Sequence, residues 1–142
     1  MMHKPVTLQE VEYLAHRLAR ELLAFNEPIP EFATRRAHIL EGCLVAPFQS
    51  FGGRSLYQSF NVKAAAFFYL MIKDHPFQNG NKRIAMTSLL VLLHKNGMWL
   101  KADMKELYNF TMWVAESPAS FKTEVVQAAE KFIRTHIVDE RV

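Results

Sequence analysis

Two apolar helical runs set nine residues apart constrain this chain more than anything else in it. Val62 to Asp74 (VKAAAFFYLMIKD) and Ile84 to Asn96 (IAMTSLLVLLHKN) are helix-forming and almost free of charge. Helices apolar on nearly every side belong in an interior, so the two should form a central buried pair. Gly97 stands where a helix C′ residue would end the second. Between them lies His75-Pro-Phe-Gln-Asn-Gly-Asn-Lys-Arg83, an imidazole, three amides, a glycine and two cations in one turn. The second helix begins at about Gly80 or Asn81. Its first free N–H groups and the positive end of its dipole therefore point back into the turn. Lys82 and Arg83 add positive charge at that same end, where they oppose the dipole. Cations in this place make sense when an anion sits among them, and Gly80 lets backbone approach a phosphate closely. Gly80, Asn81, Lys82 and Arg83 thus read as a phosphate cradle with His75 beside it. The plainer alternative is a polar loop punctuated by Pro76 and Gly80, which gives no reason for cations at the wrong end of a helix.

A length of 142 residues, half of them hydrophobic and 22% charged, suits one domain, 1–142, with a substantial core. The periodicity throughout predicts an all-α fold. Thr7-Leu-Gln-Glu10 has capping-box spacing, so a first helix starts at Leu8 and presents Val11, Leu14, Ala15, Leu18, Leu22 and Phe25 on one face. It should end near Asn26, before the two prolines of Glu27-Pro28-Ile29-Pro30. A second helix is expected from Phe32 to Val45. Pro47 to Ser59 breaks the pattern: Phe48, Phe51, Leu56 and Tyr57 flank Gly52-Gly53, a hairpin signal. Such a ribbon can pair with an extended peptide by strand addition, or its aromatics can tuck into the core of a surface loop. Gly97 to Lys101 is short and extended. Asp103 caps a further helix, and Ser117-Pro118 opens the last, with Pro at its first position. Phe48 to Tyr57 is expected to be the one substantial departure from helix.

The chemistry this composition excludes is wide. The histidines at 3, 16, 38, 75, 94 and 136 show no zinc-binding spacing, and no Walker-type glycine loop occurs. His16, His38 and His136 read as surface or half-buried. A lone Cys43 allows no intramolecular disulfide, suits a reducing cytoplasm and reads as a buried thiol. No apolar run reaches membrane-spanning length, and the first residues lack the apolar stretch of a secretion signal. A net charge of +3, with scattered cations, does not imply nucleic-acid binding. What remains is transfer of a phosphate-containing group. Imidazoles titrate near neutrality, so His75 can take a proton from a hydroxyl nucleophile while the cradle stabilises developing charge. Phe77 is spaced to point inward and anchor the loop. Lys73 can reach another phosphate or can equally be a helix-surface lysine.

The nine residues from His75 to Arg83 resemble the Fic/Doc (Fido) superfamily signature, His-x-Phe-x-Asp/Asn-Gly/Ala-Asn-Lys/Gly-Arg. Lys82, where the adenylylating Fic branch has glycine, makes the match resemble the death-on-curing (Doc) toxin branch. The likeness extends through Pro47 to Tyr57 and on to Asn96-Gly97, and more loosely from about Thr7 to Pro118. It implies a Fido-type helical bundle with a short β-hairpin flap. Phe51, Gly52, Gly53, Leu56 and Tyr57 would hold the target segment in that flap. It also implies transfer of the ATP γ-phosphate to a Ser/Thr hydroxyl of a protein, by resemblance elongation factor Tu, and inhibition by a small antitoxin protein. Adenylylation is an alternative, although Met86 stands where that branch usually has a second arginine. A catalytically weak module binding a partner through the flap is another. Asn79 occupies a position where the family often has an acidic residue that binds magnesium, so Mg2+ would lean more on nucleotide phosphates and water. Ala37-His-Ile-Leu-Glu41-Gly42 resembles an inhibitory Ser/Thr-x-x-x-Glu-Gly/Asn segment without its hydroxyl residue. Glu41 is then either an internal brake on Arg83 or a helix-surface glutamate.

Overall fold

Thr7 opens the first helical stretch as its capping box requires: the Glu10 N–H donates to Thr7 Oγ1 at 3.2 Å, and the Thr7 N–H donates to Glu10 Oε1 at 2.8 Å. The computed structural model describes residues 3–22, 28–55, 57 and 59–140. The stretch comprises α1 (Leu8–Glu10), a π-helical segment (Val11–Ala15) and α2 (His16–Leu22). Its expected end near Asn26, with Phe25 on its face, lies outside the described residues.

The expected second helix starts later than periodicity suggests. Phe32–Thr34 form a single 3-10 turn, and α3 spans Ala37–Val45. The interruption has a physical cause: Arg35 is extended, with ψ of 153°, and Arg36 is also out of helical geometry, with ψ of 89°. The Arg36 N–H goes to the Pro76 carbonyl at 2.8 Å instead of into a helix. The hairpin follows as β1 (Ser50–Phe51) and β2 (Arg54–Ser55), paired Ser50 to Ser55 and Phe51 to Arg54. Gly52 and Gly53 both have positive φ, 56° and 79°, as a two-residue type I′ turn demands.

Ser59 then caps α4 (Phe60–Lys73), and the polar loop leads to α5 (Asn81–Lys95). Gly97, at φ 77°, ends α5 by donating its N–H to the His94 carbonyl at 3.0 Å. Every residue of α4 from Lys63 to Ile72 is buried, as is all of α5 from Arg83 to Leu93. Helices buried all round need cover on every side. For α4 it comes from α5, α3, α6 (Met104–Glu116) and α7 (Lys122–His136). The first helical stretch and α6 pack on α5. The two C-terminal helices are amphipathic, turning Leu107, Thr111 and Val114, then Val125, Val126, Ala129 and Ile133, to the core.

Two sequence expectations need correcting here. Pro118 introduces a 3-10 turn (Ala119–Phe121), so α7 begins at Lys122 rather than at the proline. The hairpin is also not the one departure from helix. The stretch after Gly97 is β3 (Met98–Leu100), which pairs antiparallel with β4 (Ile137–Asp139), Trp99 opposite Val138. The all-α bundle with a short hairpin is otherwise as expected. No helix among the described residues is long and apolar enough to cross a membrane.

Candidate active site

His75 leaves α4 in the left-handed region, φ 51°, and is the one non-glycine residue with positive φ among those described. Such backbone persists only where its surroundings over-determine it. Here two clamps do so. Arg36 Nη1 donates to the carbonyls of His75 at 2.6 Å and Phe77 at 3.0 Å, while its own N–H holds the carbonyl of Pro76 between them. Asn81, buried at the start of α5, acts as a second backbone strand. Its Oδ1 accepts the Phe77 N–H and its Nδ2 donates to the Phe77 carbonyl, both at 2.9 Å. Phe77 itself is 0% exposed, against Phe32 and His16. Burying a phenyl ring contributes about 1.5–3 kcal/mol, enough to pin the loop to the core. Its expected role as anchor holds.

His16 proves buried, 4% exposed, rather than surface or half-buried as its sequence position suggests. Its Nε2 lies 2.8 Å from the Pro30 carbonyl. Burial pushes its pKa down, outweighing the opposing pull of that carbonyl, and Arg20 adds to the lowering. A neutral ring donating Nε2–H to Pro30 follows. The segment at Pro28 and Ile29 meanwhile covers Gly80. A Cβ at Gly80 would stand 2.5 Å from Ile29 Cδ1 and 3.3 Å from the Pro28 carbonyl oxygen. The glycine therefore makes room for protein, where the sequence reading had it make room for phosphate.

On the open side of the loop lies a cavity of about 210 Å³. His75, Asn79, Asn81 and Lys82 border it, with Arg36 and Gln78 beside them and Ile72, Phe77 and Ala115 as apolar wall. Larger hollows of about 600 and 740 Å³ lie elsewhere. The larger of these two is lined mostly by residues such as Leu14, Leu90, Val91 and Trp99. Convergence of donors, not volume, marks the chemical site.

The structure redistributes the other expected residues. Arg83 does not border the cavity: it is 6% exposed and its Nη2 donates to the Ala19 carbonyl of α2 at 2.8 Å. Lys73 does not reach the cavity either. Its Nζ donates to the carbonyls of Ala115 and Ser117, at the C-terminal end of α6, where the dipole favours a cation. Glu41 is exposed on α3 and forms no ion pair with Arg83. Of the two readings of Glu41, the helix-surface glutamate is the one that fits its exposed position, with Arg83 turned inward to α2. Phe51, Gly52, Gly53 and Tyr57 do not line the cavity, and Leu56 lies outside the described residues. Phe51 is 81% exposed, which rules out its tucking into the core. Lys63, buried in the first turns of α4, ties down the flap's trailing end by donating to the Tyr57 carbonyl. Cys43 is buried and its pKa is pushed up to about 12, first by burial and then by Asp74, so it holds no reactive thiolate.

A resident metal finds little here. No cavity-lining side chain is a carboxylate, and Asn79 Oδ1 already accepts the Gly80 N–H at 3.0 Å. Among the described residues no cluster of His, Cys, Asp and Glu could hold a metal ion. These donors do not fit a protein-held Mg2+, which normally takes one or two carboxylates.

Arg36, Gln78 and the core role of His16 are absent from the sequence reading. No local pattern marks Arg36, because the carbonyls it holds lie 39 and 41 residues away. Compared with known proteins, a family model described as the Fic/DOC family matches residues 5–93. No curated protein and no solved structure matches the chain.

Proposed function

The chain belongs to the Fic/DOC family, and from that premise we propose that it transfers the γ-phosphate of ATP to a Ser/Thr hydroxyl of a protein, as a Doc-like toxin. The observation that carries this reading is the meeting of His75, Asn81 and Lys82 on one cavity at the N-terminus of α5. The positive end of the α5 dipole suits a phosphoryl group, and Lys82 supplies a full charge. Members of the family are typically transferases acting on proteins. The resemblance to the Doc branch, through Lys82, points to elongation factor Tu as target and to a small antitoxin as inhibitor.

In this mechanism ATP and the protein hydroxyl are the substrates. The hydroxyl oxygen attacks the γ-phosphorus, the bond from γ-phosphorus to the bridging oxygen breaks, and ADP leaves with that oxygen. His75 takes the hydroxyl proton. Lys82 and the N–H groups opening α5 hold the equatorial oxygens while charge shifts towards ADP. Asn81 and Phe77 keep the loop in place. Mg2+ arriving with the nucleotide would be held by its phosphates and water, and no step rests on it. Met86, where the adenylylating branch usually has a second arginine, is fully buried. No cation extends from that turn to a second phosphate, which favours phosphoryl over adenylyl transfer.

The test uses purified elongation factor Tu and ATP labelled at either the α or the γ phosphate. Label from γ on the factor, reduced about 10²–10⁴-fold by His75→Ala, is the expected result. Label from α would overturn phosphoryl transfer in favour of adenylylation. Absence of both, with the factor still co-purifying through the flap, would point to the binding module.

A further inference from the structure

We propose that Arg36, which lies outside the family signature, is the arginine of the phosphate site and at the same time the residue that orients His75. The inference rests on the phosphoryl-transfer reading above and names a further residue of that site. Three observations carry it.

Arg36 stands at the N-cap of α3 and borders the same cavity as His75, Asn81 and Lys82. Its Nη1 is spent on the carbonyls of His75 and Phe77. Its Nε–H and the two hydrogens of Nη2 meet no protein acceptor among the described residues. A guanidinium is a planar fork whose edge matches two phosphate oxygens, and here the edge left over is the one not used on backbone. Arg83, by contrast, is committed inward to the Ala19 carbonyl.

The N-terminal ends of two helices, α3 and α5, border the cavity, so Arg36 and Lys82 each oppose a dipole. An anion between them turns both oppositions into attractions. Finally, His75 sits in left-handed backbone, and its carbonyl is held by this arginine at 2.6 Å. One rigid group therefore touches the phosphate on one edge and the backbone of the base on the other. Occupancy of the cavity and the direction of the imidazole are coupled through it.

The experiment compares wild type with Arg36→Gln, Arg36→Lys and Arg83→Gln. The first readout is the rise in melting temperature with added sulfate or the non-hydrolysable analogue AMP-PNP. The second is the NMR spectrum and titration of the His75 ring in anion-free protein. Arg36→Gln should need roughly tenfold or more anion for the same rise, as loss of a charged bidentate contact implies. It should also move the His75 resonances. Arg36→Lys, which keeps the charge and can reach one carbonyl, should fall between, and guards against a loop that has simply collapsed. Arg83→Gln should melt lower without anion yet keep the anion-dependent rise. Normal anion response in Arg36→Gln, with loss of it in Arg83→Gln, would overturn the assignment. No response in wild type would overturn the phosphate reading itself, and with it the anion-binding half of this proposal. Unshifted His75 resonances in Arg36→Gln would independently overturn the orienting half.

Discussion

Gly80 sits at φ 74° with Ile29 Cδ1 2.5 Å from where a Cβ would be, so two penalties await any side chain there. They can be ranked. Left-handed backbone costs an alanine about 1–2 kcal/mol whatever surrounds it. The contact is with the far end of a flexible side chain, which can rotate aside, and the Pro28 carbonyl oxygen at 3.3 Å asks for only a small shift. The backbone term should win. Gly80→Ala is expected to lower unfolding free energy by about 1–3 kcal/mol. Adding Ile29→Val, which deletes Cδ1, should restore less than half of the loss in a urea titration. Full restoration would mean that crowding, not φ, demands glycine here. At this scale the sequence was informative about residue types and poor about what faces them. A glycine followed by Asn81 at a helix start marks a special backbone position. Whether phosphate or Ile29 fills the space beside it depends on a segment some fifty residues earlier, which no local pattern records.

Among the elements, α4 and α5 were legible because each is apolar over more than three turns, and only a buried helix pair can use such segments. The hairpin was legible for an equally local reason, since two consecutive glycines permit the turn it needs. The start of α3 and the whole of β4 were not. Phe32–Thr34 carries the same periodicity as α3, and the break at Arg36 exists because its N–H serves Pro76. Ile137–Asp139 is too short to read as a strand without Met98–Leu100 beside it. Lys73 belongs to this class of misses, because its role is set by the helix that ends near it. Its Nζ caps α6 through Ala115 and Ser117. Lys73→Met, which keeps the apolar stem, should therefore cost about 1–2 kcal/mol of stability. The rise in melting temperature with sulfate should be unchanged. A reduced sulfate response with no loss of stability would return Lys73 to the phosphate site.

For the whole molecule, the groups with shifted pKa values predict how stability depends on pH, and they bound it on both sides. His16 and His3 both titrate below their ordinary value of 6.5, chiefly through burial, with Arg20 adding to the first and Lys63 to the second. In the unfolded chain each takes up a proton at higher pH than it does when folded. Between the two pKa values the unfolded state binds more protons, so stability rises with pH there and is lost as pH falls below about 6.5. Glu10 adds to the acid loss. Burial alone would raise its pKa, but hydrogen bonds from Lys95 and Thr7 hold it below 4.5. The alkaline side has the opposite sign. Cys43, pushed from 9.0 up to about 12, and Tyr69, raised above 10.0 first by burial, keep their protons in the fold and lose them sooner when unfolded. Stability is then fully present below about pH 9 and falls above it. A urea midpoint measured from pH 5 to 10.5 should show a plateau at neutral to mildly alkaline pH with a decline on either side. No single group can contribute a slope steeper than about 1.4 kcal/mol per pH unit. His16→Gln, which retains a donor for the Pro30 carbonyl, should flatten the acid limb. Cys43→Ala should flatten the alkaline limb while lowering the whole curve through lost packing. Since His16 packs on Phe77, opening on the acid side should begin at the loop between α4 and α5. Amide exchange at pH 5.5 would then rise first around 75–81 and in α2. A midpoint that increases from pH 7 to 5.5 would mean that the fold holds His16 charged, and the neutral Nε2–H contact with Pro30 would have to be abandoned.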